Sequence, residues 1–166
     1  MAEKLKKESG KGWIYIITGI AIGAILCIIL IVSIMPSMMI VTKESKLGFD
    51  ETVAAVRQRI TENGWSMKGV SDISHEINKA GYEFKPKVTI IKLCKAEYAQ
   101  VVLSTDRYVS CLMPCTMSIW EGDDGKVYLS KMNMSLMARL FGGNIGKIMG
   151  GNVINDEEKM LEGLLI

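Results

Sequence analysis

Residues 13–35 read WIYIITGIAIGAILCIILIVSIM, a run of 23 residues without a charge. Thr18 and Ser33 are its only clearly polar side chains. About 20 apolar residues cross a bilayer core as a helix, because a helix satisfies every backbone group internally. Trp13 and Tyr15 stand at one end, where indole and phenol favour the headgroup layer. Pro36 follows and is expected to close the helix. Gly19 and Gly23 have the small-x-x-x-small spacing that lets two helices approach closely, although glycine is common in membrane helices generally.

The run is too long for the hydrophobic part of a cleaved signal peptide, and residues 33–41 offer no A-x-A-like site. A lipoprotein needs a small residue before its modified cysteine, and Leu26 precedes Cys27. An uncleaved signal anchor is the reading that remains. Lys4, Lys6, Lys7 and Lys11 crowd the tail of residues 1–12, whereas only Lys43 and Lys46 follow the helix closely. The positive-inside rule then keeps the tail in the cytoplasm. It places residues 37–166 outside, in the periplasm of a cell with two membranes. The expected location is the inner membrane, crossed once.

Composition excludes one partner class. The chain has 20 Lys+Arg against 18 Asp+Glu, and from Thr42 onward the two are equal at 16 each. A neutral domain carries no electrostatic footprint for nucleic acid. About 120 residues are enough for one small core. Helices are expected over residues 49–63, 73–80, 95–104, 133–140 and 156–165. Strands are expected over 37–43, 65–72, 88–93, 112–120 and 127–131, with Asp123-Asp124-Gly125 as a hairpin turn. This mixture predicts an α/β (α+β) sandwich built on a single sheet.

Few residues carry chemistry. Cys94 falls between a strand and a helix, where the helix dipole and the flanking Lys92 and Lys95 favour thiolate. A small buried hydrophobe would explain it as well. Cys111 and Cys115 form C-x₃-C, about 13 Å apart along an extended strand and too far for a disulfide unless Pro114 bends the chain. A bridge between Cys94 and Cys115 on neighbouring strands fits better, and an oxidising compartment favours it.

Twelve methionines include Met132, Met134 and Met137, with Met113 and Met117 around the cysteine strand. Thioether sulfur suits Cu(I), and it also fills irregular cores. His75 is the only histidine and a candidate ligand to haem or copper. No H-E-x-x-H or C-x-x-C-H occurs, no serine–histidine–acid set can be assembled, and the sequence names no cofactor.

Residues 141–152, FGGNIGKIMGGN, miss the phosphate-loop register. Three residues separate Gly142 from Gly146, and Ile148 stands where a hydroxyl is needed. Phe141, Gly142, Gly143, Ile145, Ile148 and Met149 are instead expected to make a Met/Gly-rich docking surface within residues 133–166, against the bilayer or a partner.

From Lys46 to Met132 the chain resembles the bacterial and archaeal family called domain of unknown function 302. The matching segments are FDETVAAVRQRITENGW, IIKLCKAEYA, and LMPCTMSIW followed by a glycine turn and a strand. Lys95-Ala96 replaces the Asn-Pro usual after the family's cysteine segment, which marks a divergent branch; Pro114-Cys115 is retained. The resemblance implies a small α/β sandwich over residues 37–132 that tends to dimerise, with no established enzymatic activity. The extension LSKMNMSLMARLFGGNIGKIMGGNV looks like one in membrane-anchored members from sulfur-metabolising and respiratory bacteria. The functional expectation is therefore a non-enzymatic accessory domain or subunit beside a sulfur or respiratory redox complex. The alternative is a module that binds a soft metal, haem or sulfane sulfur through Cys94 and Cys115, assisted by His75 or by methionines.

Overall fold

The structure is a computed structural model that describes the backbone of residues 2–166 and the side chains of residues 12–166. Lys4, Lys6, Lys7 and Lys11, which set the expected orientation, lie outside the described side chains. The chain divides into two units, residues 1–38 and 39–166.

The first unit is one long helix, α1 (Ala2–Met39). Its segment Gly12–Met39 is long and apolar enough to cross a membrane, and none of its most apolar stretch is buried within the protein. Pro36 does not end it. Proline removes one N–H···O bond, but its fixed φ suits a helix, and α1 runs three residues further. The first strand accordingly starts later than expected, at Ile40.

The second unit follows without a linker. Its strands are β1 (Ile40–Glu44), β2 (Ser66–Asp72), β3 (Val88–Cys94), β4 (Cys115–Glu121) and β5 (Val127–Met132). They form one antiparallel sheet in the order β1-β5-β4-β3-β2. The helices are α2 (Phe49–Glu62), α3 (Ile73–Lys79), α4 (Ala96–Thr105), α5 (Met134–Phe141), α6 (Gly143–Lys147) and α7 (Ile154–Leu161). A 3₁₀ segment occupies Arg107–Leu112 and a π-helical segment Ile148–Val153. The chain is an α+β sandwich with a single sheet.

Alternation along the strands decides which face the helices cover. Thr89, Ile91 and Leu93 of β3, Met117 and Ile119 of β4, and Val127 and Leu129 of β5 are buried. All of these except Thr89 share one hydrophobic core with Val56 and Ile60 of α2, Val102 of α4, and Met160 and Leu161 of α7. Residues of the other parity line the opposite face. There Trp120 and Tyr128 stack across the strand pair at 4.8 Å, and Trp120 Nε1 donates to Ser130 Oγ at 2.9 Å. β4 begins at Cys115 rather than residue 112, because residues 107–112 coil into the 3₁₀ segment and Pro114 has no N–H for the ladder.

The Met/Gly-rich segment folds into this same unit. Ile145, Ile148 and Met149 are buried in the core. Gly146 and Gly150 explain the glycine content. A Cβ on Gly146 would stand 2.8 Å from the Ala138 backbone oxygen, and one on Gly150 2.8 Å from Ala138 Cβ. The two glycines thus let this segment press against α5. Of the apolar side chains expected to make a docking surface, Ile145, Ile148 and Met149 are instead turned into the domain's own core, while Phe141 is exposed.

Candidate functional site

β3 and β4 pair with Leu93 opposite Cys115, so Cys94 at the end of β3 lies diagonally next to Cys115 at the start of β4. Both cysteines are half-buried, and both are free thiols, so the expected bridge is absent. They line one cavity of about 30 Å³ together with Trp65, Tyr98, Met113 and Met149. One water needs roughly 10–15 Å³ on this measure, so the space takes a water-sized occupant. It is far too small for haem.

A carboxylate outside the lining holds three of the lining side chains. Asp156, in the first turn of α7, accepts three hydrogen bonds on one oxygen, Oδ2. They come from Lys95 Nζ at 2.8 Å, Tyr98 OH at 2.9 Å and Trp65 Nε1 at 3.0 Å. Trp65 meets Tyr98 edge-to-face at 5.7 Å, and Lys95 Nζ stands 4.6 Å from the Tyr98 ring centre. Burial opposes the charged form of Asp156, but the three donors outweigh it and hold its pKa below the usual carboxylate value. Lys95 is raised in turn, chiefly by its hydrogen bond to Asp156.

The next residue behaves differently. Glu157 is 3% exposed and, among the described residues, has a single ion-pair partner, Lys131 Nζ at 2.6 Å. Burial pushes its pKa up, and Lys131 offsets only part of that. Glu157 also acts on Cys115. Burial first, then the Glu157 charge, pushes the Cys115 thiol up to about 12. The backbone carbonyls of Met160 and Glu162, at the end of α7, accept from Arg59 Nη1 of α2. The last helix is thereby tied to α2 as well as to β5.

The candidate residues separate accordingly. Cys94 and Cys115 come together. His75 does not join them: it is exposed on α3, whose cap residue Asp72 pairs with Thr89 at the far end of β3. Five strand residues, about 17 Å, separate that end from Cys94. Met132 pairs opposite Ile40, while Met134 and Met137 are buried in the core, so the M-x-M-x-x-M spacing marks packing. Phe141 is more open and lies 6.5 Å from Tyr108, ring to ring. Cys111 is exposed in the 3₁₀ segment, its thiol 3.5 Å from the Tyr108 carbonyl oxygen. Among the described residues no three His, Cys, Asp or Glu side chains cluster to hold a metal.

Sequence reasoning missed Trp65, Tyr98 and Asp156. It assigned Lys95 to thiolate stabilisation at Cys94. In the structure the Lys95 ammonium is directed to Asp156. A second, open groove of about 760 Å³ lies beside β1, β5 and α7. Its lysines (43, 131, 159) are matched by its glutamates (157, 158, 162), so it selects no charge.

The fold and site now meet their relatives. The family model for domain of unknown function DUF302 matches residues 41–164. The chain belongs to that family, and the match includes the Met/Gly-rich segment and α7. A crystal structure of an uncharacterized conserved DUF302 protein from Bacillus stearothermophilus is similar, with a TM-score of 0.66 at 15% identity. The alignment covers 75% of this chain and 97% of that one. At that identity the likeness is one of fold. No curated protein matches the chain.

Proposed function

We propose that the chain is a membrane-anchored, non-enzymatic accessory domain or subunit, held by α1 in the inner membrane with residues 39–166 on the outer, periplasmic side. The observation that carries this reading is the apolar segment Gly12–Met39. Its large side chains are exposed, Ile20 at 67% and Val32 at 66%, and it runs directly into the first strand of the domain. In water such a surface would be strongly unfavourable, at about 25 cal/mol per Å² of apolar area, whereas lipid removes that cost. The lysine bias supports the orientation. The likeness of residues 129–153 to membrane-anchored relatives supports a place beside a sulfur or respiratory redox complex.

Fractionation and native purification test this. The chain should stay with membranes through alkaline carbonate washing, and added protease should digest the domain in spheroplasts without lysis. Purified gently from native membranes, it should bring a larger assembly with it. Release by carbonate would overturn the anchor, protection from protease would overturn the orientation, and a solitary monomer or homodimer throughout would overturn the accessory role.

One observation favours a second reading. Cys94 and Cys115 face a common cavity, so the domain is also a candidate module for a small soft ligand, a metal ion or a sulfane sulfur atom.

A further inference from the structure

The wall of the small cavity has an unusual chemical balance. Its polar hydrogens belong to Trp65, Lys95 and Tyr98, and all three are directed to Asp156 Oδ2. The rest of the lining is aliphatic or carries sulfur. Four residues from three separate segments bring that sulfur: Cys94 ends β3, Met113 and Cys115 flank Pro114, and Met149 sits in the π-helical segment. The donor chemistry left uncommitted is thus two thiols and two thioethers around a space for one small occupant.

We propose that this cavity is a binding site for a single Cu(I) ion, held by sulfur from Cys94, Cys115, Met113 and Met149. The proposal rests on the soft-ligand reading above and specifies its occupant. Cu(I) is soft and binds thiolate and thioether sulfur. Zinc prefers four donors drawn from Cys, His and carboxylate, and only the two cysteines here belong to that set. Each cysteine that coordinates releases its proton to solvent and gives a sulfur lone pair to the metal. Copper enters and remains as Cu(I), so no oxidant or reductant is required. The methionine ligands are Met113 and Met149, rather than the Met132, Met134 and Met137 that sequence spacing suggests.

The test uses the full chain, purified anaerobically in mild detergent with its thiols reduced, and titrated with Cu(I) against a chromogenic Cu(I) chelator. Uptake of about one ion per chain is expected, with copper X-ray absorption reporting sulfur neighbours alone. Cys94→Ser and Cys115→Ser should each weaken binding by more than the roughly 10–100-fold typical of losing an outer-shell partner. Met113→Leu and Met149→Leu keep size and apolarity. They should fold normally, weaken binding about tenfold or more, and lower the count of sulfur neighbours. Met134→Leu and His75→Ala should bind as the natural chain does.

Several outcomes would overturn the proposal: no retention of Cu(I) against the chelator, Zn(II) held as tightly as Cu(I), or Met113→Leu and Met149→Leu binding unchanged. Polysulfide offered to the same sample separates the two levels. Sulfur transfer to Cys94 or Cys115 without Cu(I) binding would leave the soft-ligand reading standing and remove copper from it. Neither reaction would remove both.

Discussion

Asp156 and Glu157 are neighbours on one helix turn, yet their surroundings push them in opposite directions. Asp156, the less enclosed at 15% exposure, gathers three donors on one oxygen and titrates low. Glu157, at 3%, has one lysine and titrates high. Burial penalises both carboxylates. Glu157 is the more deeply buried and has one donor to reward its charged form, whereas Asp156 is less enclosed and has three. The region around Asp156 is therefore an ordered polar knot, while the region around Glu157 and Cys115 is a place where charge is held reluctantly.

The largest expected effect breaks the second region. Lys131→Met leaves Glu157 buried without its cation and should cost about 3 kcal/mol in denaturant unfolding at neutral pH. Adding Glu157→Leu should recover most of that loss, because an apolar pair replaces a desolvated ionic one. No recovery in the double variant would mean that the pair does more than satisfy itself.

Breaking the first region comes next. Asp156→Asn removes the charge that Lys95, Tyr98 and Trp65 all address, and should cost about 2 kcal/mol. Trp65→Phe deletes one donor and keeps a ring against Tyr98, so about 1 kcal/mol is expected. Equal losses from the two variants would contradict the view that the charged acceptor organises the knot.

The smallest and sharpest effect is in the pH profile. The folded pKa of Asp156 lies below the ordinary 3.8, so its contribution is complete above that value and fades as pH falls through the lower folded one. Glu157 has the opposite sign. Its folded pKa lies above 4.5, so its contribution is complete below pH 4.5 and fades as pH rises through the raised value. Asp156→Asn should flatten the acid limb of the stability curve, and Glu157→Gln the limb just above pH 4.5. A Glu157→Gln profile that overlays the natural chain there would show that Glu157 titrates normally.

Local periodicity made much of the fold legible. The apolar stripe Phe49, Val53, Val56, Ile60 announced α2 almost to the residue, and VTIIKL announced β3. The site was legible only in its cysteines. Trp65, Lys95 and Tyr98 reach Asp156 across 91, 61 and 58 residues, and no local pattern encodes a pairing at that distance. Residues 141–152 misled for a different reason. Glycine beside isoleucine and methionine has the same spelling whether small residues admit a membrane, a partner or the molecule's own helix. Only the approach of Gly146 and Gly150 to Ala138 decides it.

The junction between α1 and β1 has a kinetic consequence. Met39 is the last helical residue and Ile40 the first of the strand, so no slack separates them. If α1 is seated in a bilayer as proposed, the domain travels with it along the membrane. Encounters with other membrane proteins then become a search in two dimensions at high effective concentration, which a long flexible spacer after Met39 would dilute.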